Sequence, residues 1–254
     1  DRVVNCVPTF GMYLFSTQVC GGKVSDVPRR PDYTLDIDAV RGAIDDRTKV
    51  IFIASPNNPS GNAATNDQVL ALAATGRVVV VDEAYHEFGG TSVAHLVPEY
   101  ENLMVLRTFS KWAGLAGLRV GYGVFPKKIA VQLLKIKPPY NISSAALVAA
   151  LASLEDLDYL KSTVQAIINE RGRLFDRLSQ LSFLKPLPSD ANFILCRITT
   201  GNARSMYESL QRRGIFIRYF DTLLLRNCIR ISVGKPEHTD AVIQALKEIG
   251  ETGK

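Results

Sequence analysis

The chain has no run of ~18 apolar residues, the length a bilayer-spanning helix needs, so no helical membrane segment is expected. It has no GxGxxG or GxxxxGK[ST] motif opening a βαβ unit, which excludes the usual dinucleotide and nucleoside-triphosphate cradles. Cysteine is sparse. Cys6, Cys20, Cys196 and Cys228 form no CxxC pair and have no histidine at metal-ligand spacing. They are expected to be reduced core thiols of an intracellular protein rather than a disulfide framework or a metal site. The histidines His86, His95 and His238 are dispersed, and a structural role is expected of each. The opening residues, DRVVNCVPTF, lack a basic leader before an apolar core; no secretory signal is expected, and the stretch reads as a buried strand. The net charge of +5 comes from lysines and arginines scattered among acidic residues. That balance argues against a nucleic-acid stripe and suits a small anionic substrate.

Three apolar runs, each ending in a polar or glycine-rich cluster, dominate the first half: KVIFIASPNNPSG (49–61), RVVVVDEAYHEF (77–88) and NLMVLRTFSKWAG (102–114). Continuous Val, Ile and Leu without alternation predicts strands buried on both faces, as in a parallel sheet covered by helices. TNDQVLALAAT (65–75) begins with an N-cap residue and carries apolar residues at helical intervals, which predicts the helix between the first two strands. Strand, helix, strand in that order predicts a doubly wound α/β domain, whose ligands gather beyond the carboxyl ends of the strands. All three polar clusters fall at that edge. After IKPPYNIS (136–143) the pattern changes. Helices are predicted at 143–154 and about 156–182, the second with Leu174, Leu178 and Leu181 on one face, and near 203–213 and 236–249. Short strands are predicted at 192–198, 215–218 and 228–234, making a second, smaller lobe packed closely on the first.

The polar clusters hold an unusual combination. Asp82 ends one strand, Tyr85 follows three residues later, Asn58 lies in the cluster before, and Lys111 in the cluster after. An aspartate there can be merely a helix cap. A lysine, a carboxylate, a phenol and an amide on one edge are, however, what pyridoxal 5'-phosphate requires: an amine for the aldehyde, an acid for the ring nitrogen and donors for the ring oxygen.

SPNNPSG, DEAYHEF and TFSKWAGLAGLRVGYG together resemble the cofactor motifs of the fold-type I, class I/II aminotransferases, and among them those acting on histidinol phosphate. PTFGMY (8–13), KPPYNIS (137–143), ANFILCRI (191–198) and RISVGKPEHTD (230–240) resemble the same family, so the likeness covers nearly the whole chain. The resemblance implies an α/β fold of the pyridoxal-phosphate-dependent transferase type I. A mostly parallel large cofactor domain would occupy 1–142 and a smaller C-terminal α/β lobe 143–254. Carried over residue by residue, Lys111 would hold the cofactor aldehyde and move the reaction's proton, while Asp82 would keep the ring nitrogen protonated. Asn58 and Tyr85 would bond the ring oxygen, and Phe10 would stack on the ring or serve only as a core aromatic. Thr108, Ser110 and Arg119 would hold the phosphate, a task suited to hydroxyls and a guanidinium. The alternatives are loop capping for the two hydroxyls and a surface ion pair for Arg119. Arg230 would clamp the substrate carboxylate, Arg218 would reach a distal phosphate, and Asn192 would orient the strand near the carboxylate or serve backbone bonding alone.

The implied reaction is a ping-pong amino transfer between histidinol phosphate, with its keto counterpart, and glutamate or 2-oxoglutarate, in histidine biosynthesis. The implied assembly is a homodimer, with no metal, in a bacterial cytoplasm or a plastid stroma. Other readings remain open: an aromatic aminotransferase, an amino-acid-phosphate decarboxylase, or a truncated chain without activity. Family members carry a further N-terminal portion with a glycine-rich loop and a helix N-terminus for the cofactor phosphate, which this sequence is expected to lack.

Overall fold

A computed structural model describes residues 1–252. The chain begins with β1 (Arg2–Val7), α1 (Met12–Val19), β2 (Lys23–Pro28), α2 (Ile37–Gly42), β3 (Thr48–Ala54), α3 (Asn66–Ala73) and β4 (Val78–Asp82). It continues through β5 (Leu103–Thr108), β6 (Gly121–Val124), α4 (Lys127–Ile136), α5 (Ser144–Glu155) and α6 (Leu157–Ser179). The remainder is β7 (Leu184–Pro186), β8 (Phe193–Ile198), α7 (Ala203–Arg212), β9 (Arg218–Tyr219), β10 (Cys228–Ser232) and α8 (Pro236–Thr252).

The first sheet has the order β2-β1-β3-β4-β5-β6, parallel except for the antiparallel edge strand β6. Ile51, Ile53, Val79, Val81, Leu103 and Val105 form its buried centre with Val69 and Leu72 of α3. Burial on both faces is why these strands read as unbroken apolar runs. The N-terminus of α3 is fixed by a reciprocal capping box, in which Thr65 accepts from the Gln68 amide and the Gln68 side chain accepts from the Thr65 amide. β2 went unpredicted because it is a half-exposed edge strand with little apolar content.

The second sheet, β7-β8-β10-β9, is antiparallel throughout. It packs on α6, α7 and α8 through Leu174, Leu178, Ile194, Leu210, Ile229 and Leu246. Leu181 stays in this cluster although α6 stops at Ser179. The strand predicted at 215–218 is corrected: only Arg218 and Tyr219 pair with β10. Ile215 and Ile217 pack against the core cluster without joining the ladder. Cys20 is also corrected. It is exposed at the end of α1, while Cys6, Cys196 and Cys228 are buried, and all four are free thiols.

Every strand of the first sheet precedes residue 143 and every strand of the second follows it. α5 nonetheless lies against the first part of the chain, where its Ala146 and Ala150 pack on Phe109 and Val120. The two sheets are joined by specific contacts. Arg171 of α6 donates from Nη1 to the carbonyls of Phe88 and Ala191, each at 2.8 Å. Gly61, at φ +84°, brings the loop after β3 so close to Ser189 that an added Cβ would lie 2.3 Å from its hydroxyl oxygen.

Candidate active site

Beyond the carboxyl ends of β3, β4 and β5 the chain leaves a cavity of about 430 Å³. Phe10, Asn58, Asp82, Tyr85, Thr108, Ser110, Lys111, Arg119 and Arg230 all line it. The parallel topology produces this convergence, because each strand ends at the same edge and delivers its terminal polar cluster there. Strand β10 of the second sheet contributes Arg230.

Asp82, the last residue of β4, accepts from the Tyr13 hydroxyl on Oδ2 at 2.6 Å and from the Ala84 amide on Oδ1 at 3.0 Å. Burial raises its carboxyl above the ordinary aspartate range, although both bonds and the Lys111 charge oppose the shift. Lys111 stands in the turn after β5, with Nζ 5.7 Å from the centroid of the Tyr85 ring. Burial and the neighbouring Arg230 and Arg119 lower its pKa, with Asp82 opposing. The turn closes tightly, since the Phe109 amide donates to the Val120 carbonyl and Leu115 to Phe109. At Gly121 an added Cβ would lie 2.7 Å from the Arg107 carbonyl oxygen, so β6 can approach β5 only with glycine there.

Ser110 Oγ accepts a long bond from Arg119 Nη1 at 3.5 Å, which leaves the hydroxyl proton of Ser110 for an anion. Thr108 lines the same cavity, but its hydroxyl donates to the Val120 carbonyl at 3.2 Å and accepts from the Ser110 amide at 3.0 Å. Its role in this geometry is to shape the loop. Arg230 donates to the side-chain oxygen of Asn58 and lies 4.6 Å over the Phe193 ring, while its Nε is buried without a partner. Tyr85 packs its ring edge on Phe193 at 5.1 Å.

Two candidates stand outside this cavity. Arg218 lines an adjoining one of about 550 Å³, which shares Phe10, Asn58 and Arg230 with the first. Asn192 lines neither cavity, and its carbonyl accepts from the Val233 amide beyond β10. The sequence reading missed Tyr13, which a tyrosine on a buried helix face does not announce. It also missed Arg107, whose guanidinium lines the cavity and pairs with buried Glu83 at 2.8 Å. Glu83 further accepts from Ser92 and from the Val93 amide.

The donor set fits a phosphorylated pyridine aldehyde. One amine of lowered pKa and a carboxylate that keeps lone pairs free line the same cavity as a hydroxyl and a guanidinium bonded to each other. The family described as "Aminotransferase class I and II" matches residues 1–246. The chain belongs to that family. A histidinol-phosphate aminotransferase from Dehalococcoides mccartyi is 49% identical over 251 residues, covering 99% of this chain and 70% of that protein. The chloroplastic histidinol-phosphate aminotransferase 1 of Arabidopsis thaliana is 46% identical, covering 98% of this chain and 60% of that protein. The crystal structure of histidinol-phosphate aminotransferase from Sinorhizobium meliloti in complex with pyridoxal-5'-phosphate superposes with a TM-score of 0.91. It is 30% identical and covers all of this chain and 71% of its own. As a class I/II aminotransferase the chain takes pyridoxal 5'-phosphate as cofactor. No helix among the described residues is long and apolar enough to cross a membrane.

Proposed function

We propose that the chain transfers an amino group between histidinol phosphate and 2-oxoglutarate, with the cavity beyond β3, β4 and β5 as the reaction site. The observation that carries this reading is the placement of Lys111, Asp82 and Arg230 around one cavity in a chain so similar to proteins named for that substrate. When bound, the cofactor supplies an aldehyde for covalent attachment of amines and an electron-withdrawing ring.

The residues divide the remaining tasks. Lys111 holds the aldehyde, and its lowered pKa lets the neutral amine take and return a proton at the substrate α-carbon. Asp82 holds the proton on the ring nitrogen. Asn58 gives its oxygen to Arg230, which leaves its NH₂ group, together with the Tyr85 hydroxyl, to donate to the ring oxygen. Phe10 offers a ring wall, while Ser110 and Arg119 donate to the phosphate from a loop that Thr108 shapes. Arg230 orients the substrate carboxylate, which can meet two parallel guanidinium N–H groups. Arg218 faces the adjoining cavity and is assigned the substrate's distal phosphate. Asn192 contributes through its backbone. Both half-reactions use the same Arg230, so donor and acceptor take turns at one site.

We also propose a homodimer, in a cytoplasm or a plastid stroma. The large exposed apolar side chains Leu134, Ile136, Tyr140, Val148 and Leu151 on and around α4 and α5 support burial of that face in an assembly. Turnover tests the function directly: histidinol phosphate with 2-oxoglutarate should exceed phenylalanine as a donor, and threonine phosphate should not be decarboxylated. Loss of that order would sink the substrate assignment.

A further inference from the structure

Tyr13 comes from α1, 69 positions before Asp82, and places its hydroxyl 2.6 Å from Asp82 Oδ2. The ring is held on two sides. It stacks on Phe52 of β3 with centroids 4.8 Å apart and planes 2° from parallel, and meets Phe10 edge-on at 5.8 Å. Tyr13 is 6% exposed and lines the active-site cavity. A phenol carries one proton, and this one is spent on the carboxylate.

We propose that Tyr13 is a positioning residue for the amino-transfer reaction, holding Asp82 ionised and in a single orientation so that its free lone pairs meet the ring nitrogen of the cofactor. The inference rests on the assignment of Asp82 to that nitrogen. Its physical basis is that a carboxylate taken out of water must be compensated by donors or it takes up a proton. Asp82 has two such donors, the Tyr13 hydroxyl and the Ala84 amide. Burial pushes its carboxyl upward and these two bonds pull it down, with Glu83 adding to the rise and Lys111 opposing it. Tyr13 cannot become the competing anion, because burial and the Asp82 charge hold its own ionisation well above the ordinary tyrosine range.

A third group bears on Tyr13. Arg29, 8% exposed, donates to the carbonyls of Cys6, Tyr33 and Ala54, at the ends of β1 and β3 and in the loop after β2. Its charge lowers the Tyr13 pKa, an effect outweighed by burial and by the Asp82 charge and hydrogen bond, which keep the phenol protonated.

The test is Tyr13→Phe, read first on the cofactor-free protein as the titration of the Asp82 carboxyl carbon by NMR, with Asp82→Asn identifying the signal. The expected result is an upward shift of the Asp82 midpoint, because the variant lacks a donor to the ionised carboxylate. A ring-fluorinated tyrosine at position 13, a stronger donor of nearly the same size, should move the Asp82 midpoint downward. If Tyr13→Phe fails to fold, the fluorinated protein decides. An unchanged Asp82 midpoint in a folded variant overturns the proposal. Because that reading uses neither cofactor nor substrate, it stands apart from any failure of the histidinol phosphate assay.

Discussion

Arg230 and Asn58 lie 172 positions apart, and the guanidinium of the first donates to the amide oxygen of the second across the junction of the two sheets. The same guanidinium lies over Phe193, so its plane is set before any substrate arrives. That preorganisation makes lysine a poor replacement. A lysine supplies one ammonium where a carboxylate meets a fork, and it cannot hold Asn58 in the same pose. Arg230→Lys should raise KM for both amino substrates by about tenfold to a hundredfold, with a smaller fall in kcat. Steady-state kinetics with each substrate varied separately check this.

Glu83 is 1% exposed and receives Nε and Nη2 of Arg107 on the same carboxylate oxygen, at 3.0 and 2.8 Å. Glu83→Gln leaves a largely buried guanidinium without its counter-charge. The expected loss is about 3 kcal/mol, in the range seen when one partner of a buried pair is removed. For a chain of this size that is a fall in Tm of roughly 6 °C or more. Calorimetry on the two proteins measures it.

Glu87 offers a pH signature. Burial raises its carboxyl from the ordinary glutamate value to about 7, against a backbone bond and the Arg107 charge. One of its oxygens is buried without a partner. Because the folded pKa lies above the unfolded one, the folded protein keeps a proton that the unfolded chain releases. Stability contributed by the neutral carboxyl is therefore present at low pH and is lost as pH rises through about 7. Glu87→Gln should match the parent near pH ~4 and exceed it in Tm near pH ~8. Equal differences at both pH values would contradict the assignment.

The sequence carried much of this site because the parallel strands are the most legible elements of the chain. Unbroken Val and Ile runs locate β3, β4 and β5, and the polar residue that ends each run must then lie at one edge. Asp82, Asn58 and Lys111 follow from that rule. Tyr13 does not, since its meaning depends on α1 crossing Phe52 to reach Asp82. Thr108 reads as a phosphate-binding hydroxyl, and only the fold shows that it donates to the Val120 carbonyl twelve positions later. Arg29 and Arg107 escaped for a related reason. Their partners are carbonyls and a carboxylate brought together only by the fold. At Ile215 and Ile217 the apolar residues spelled a strand, yet they pack against the core without joining the ladder.

The proposed role of Lys111 is to hold the cofactor. Incubation with pyridoxal phosphate, reduction with borohydride and mass mapping of the peptides tests it most directly. A single pyridoxyl-phosphate mass is expected on the peptide containing Lys111, and none in Lys111→Ala. A label on another lysine, or the same yield of label in the variant, would contradict it.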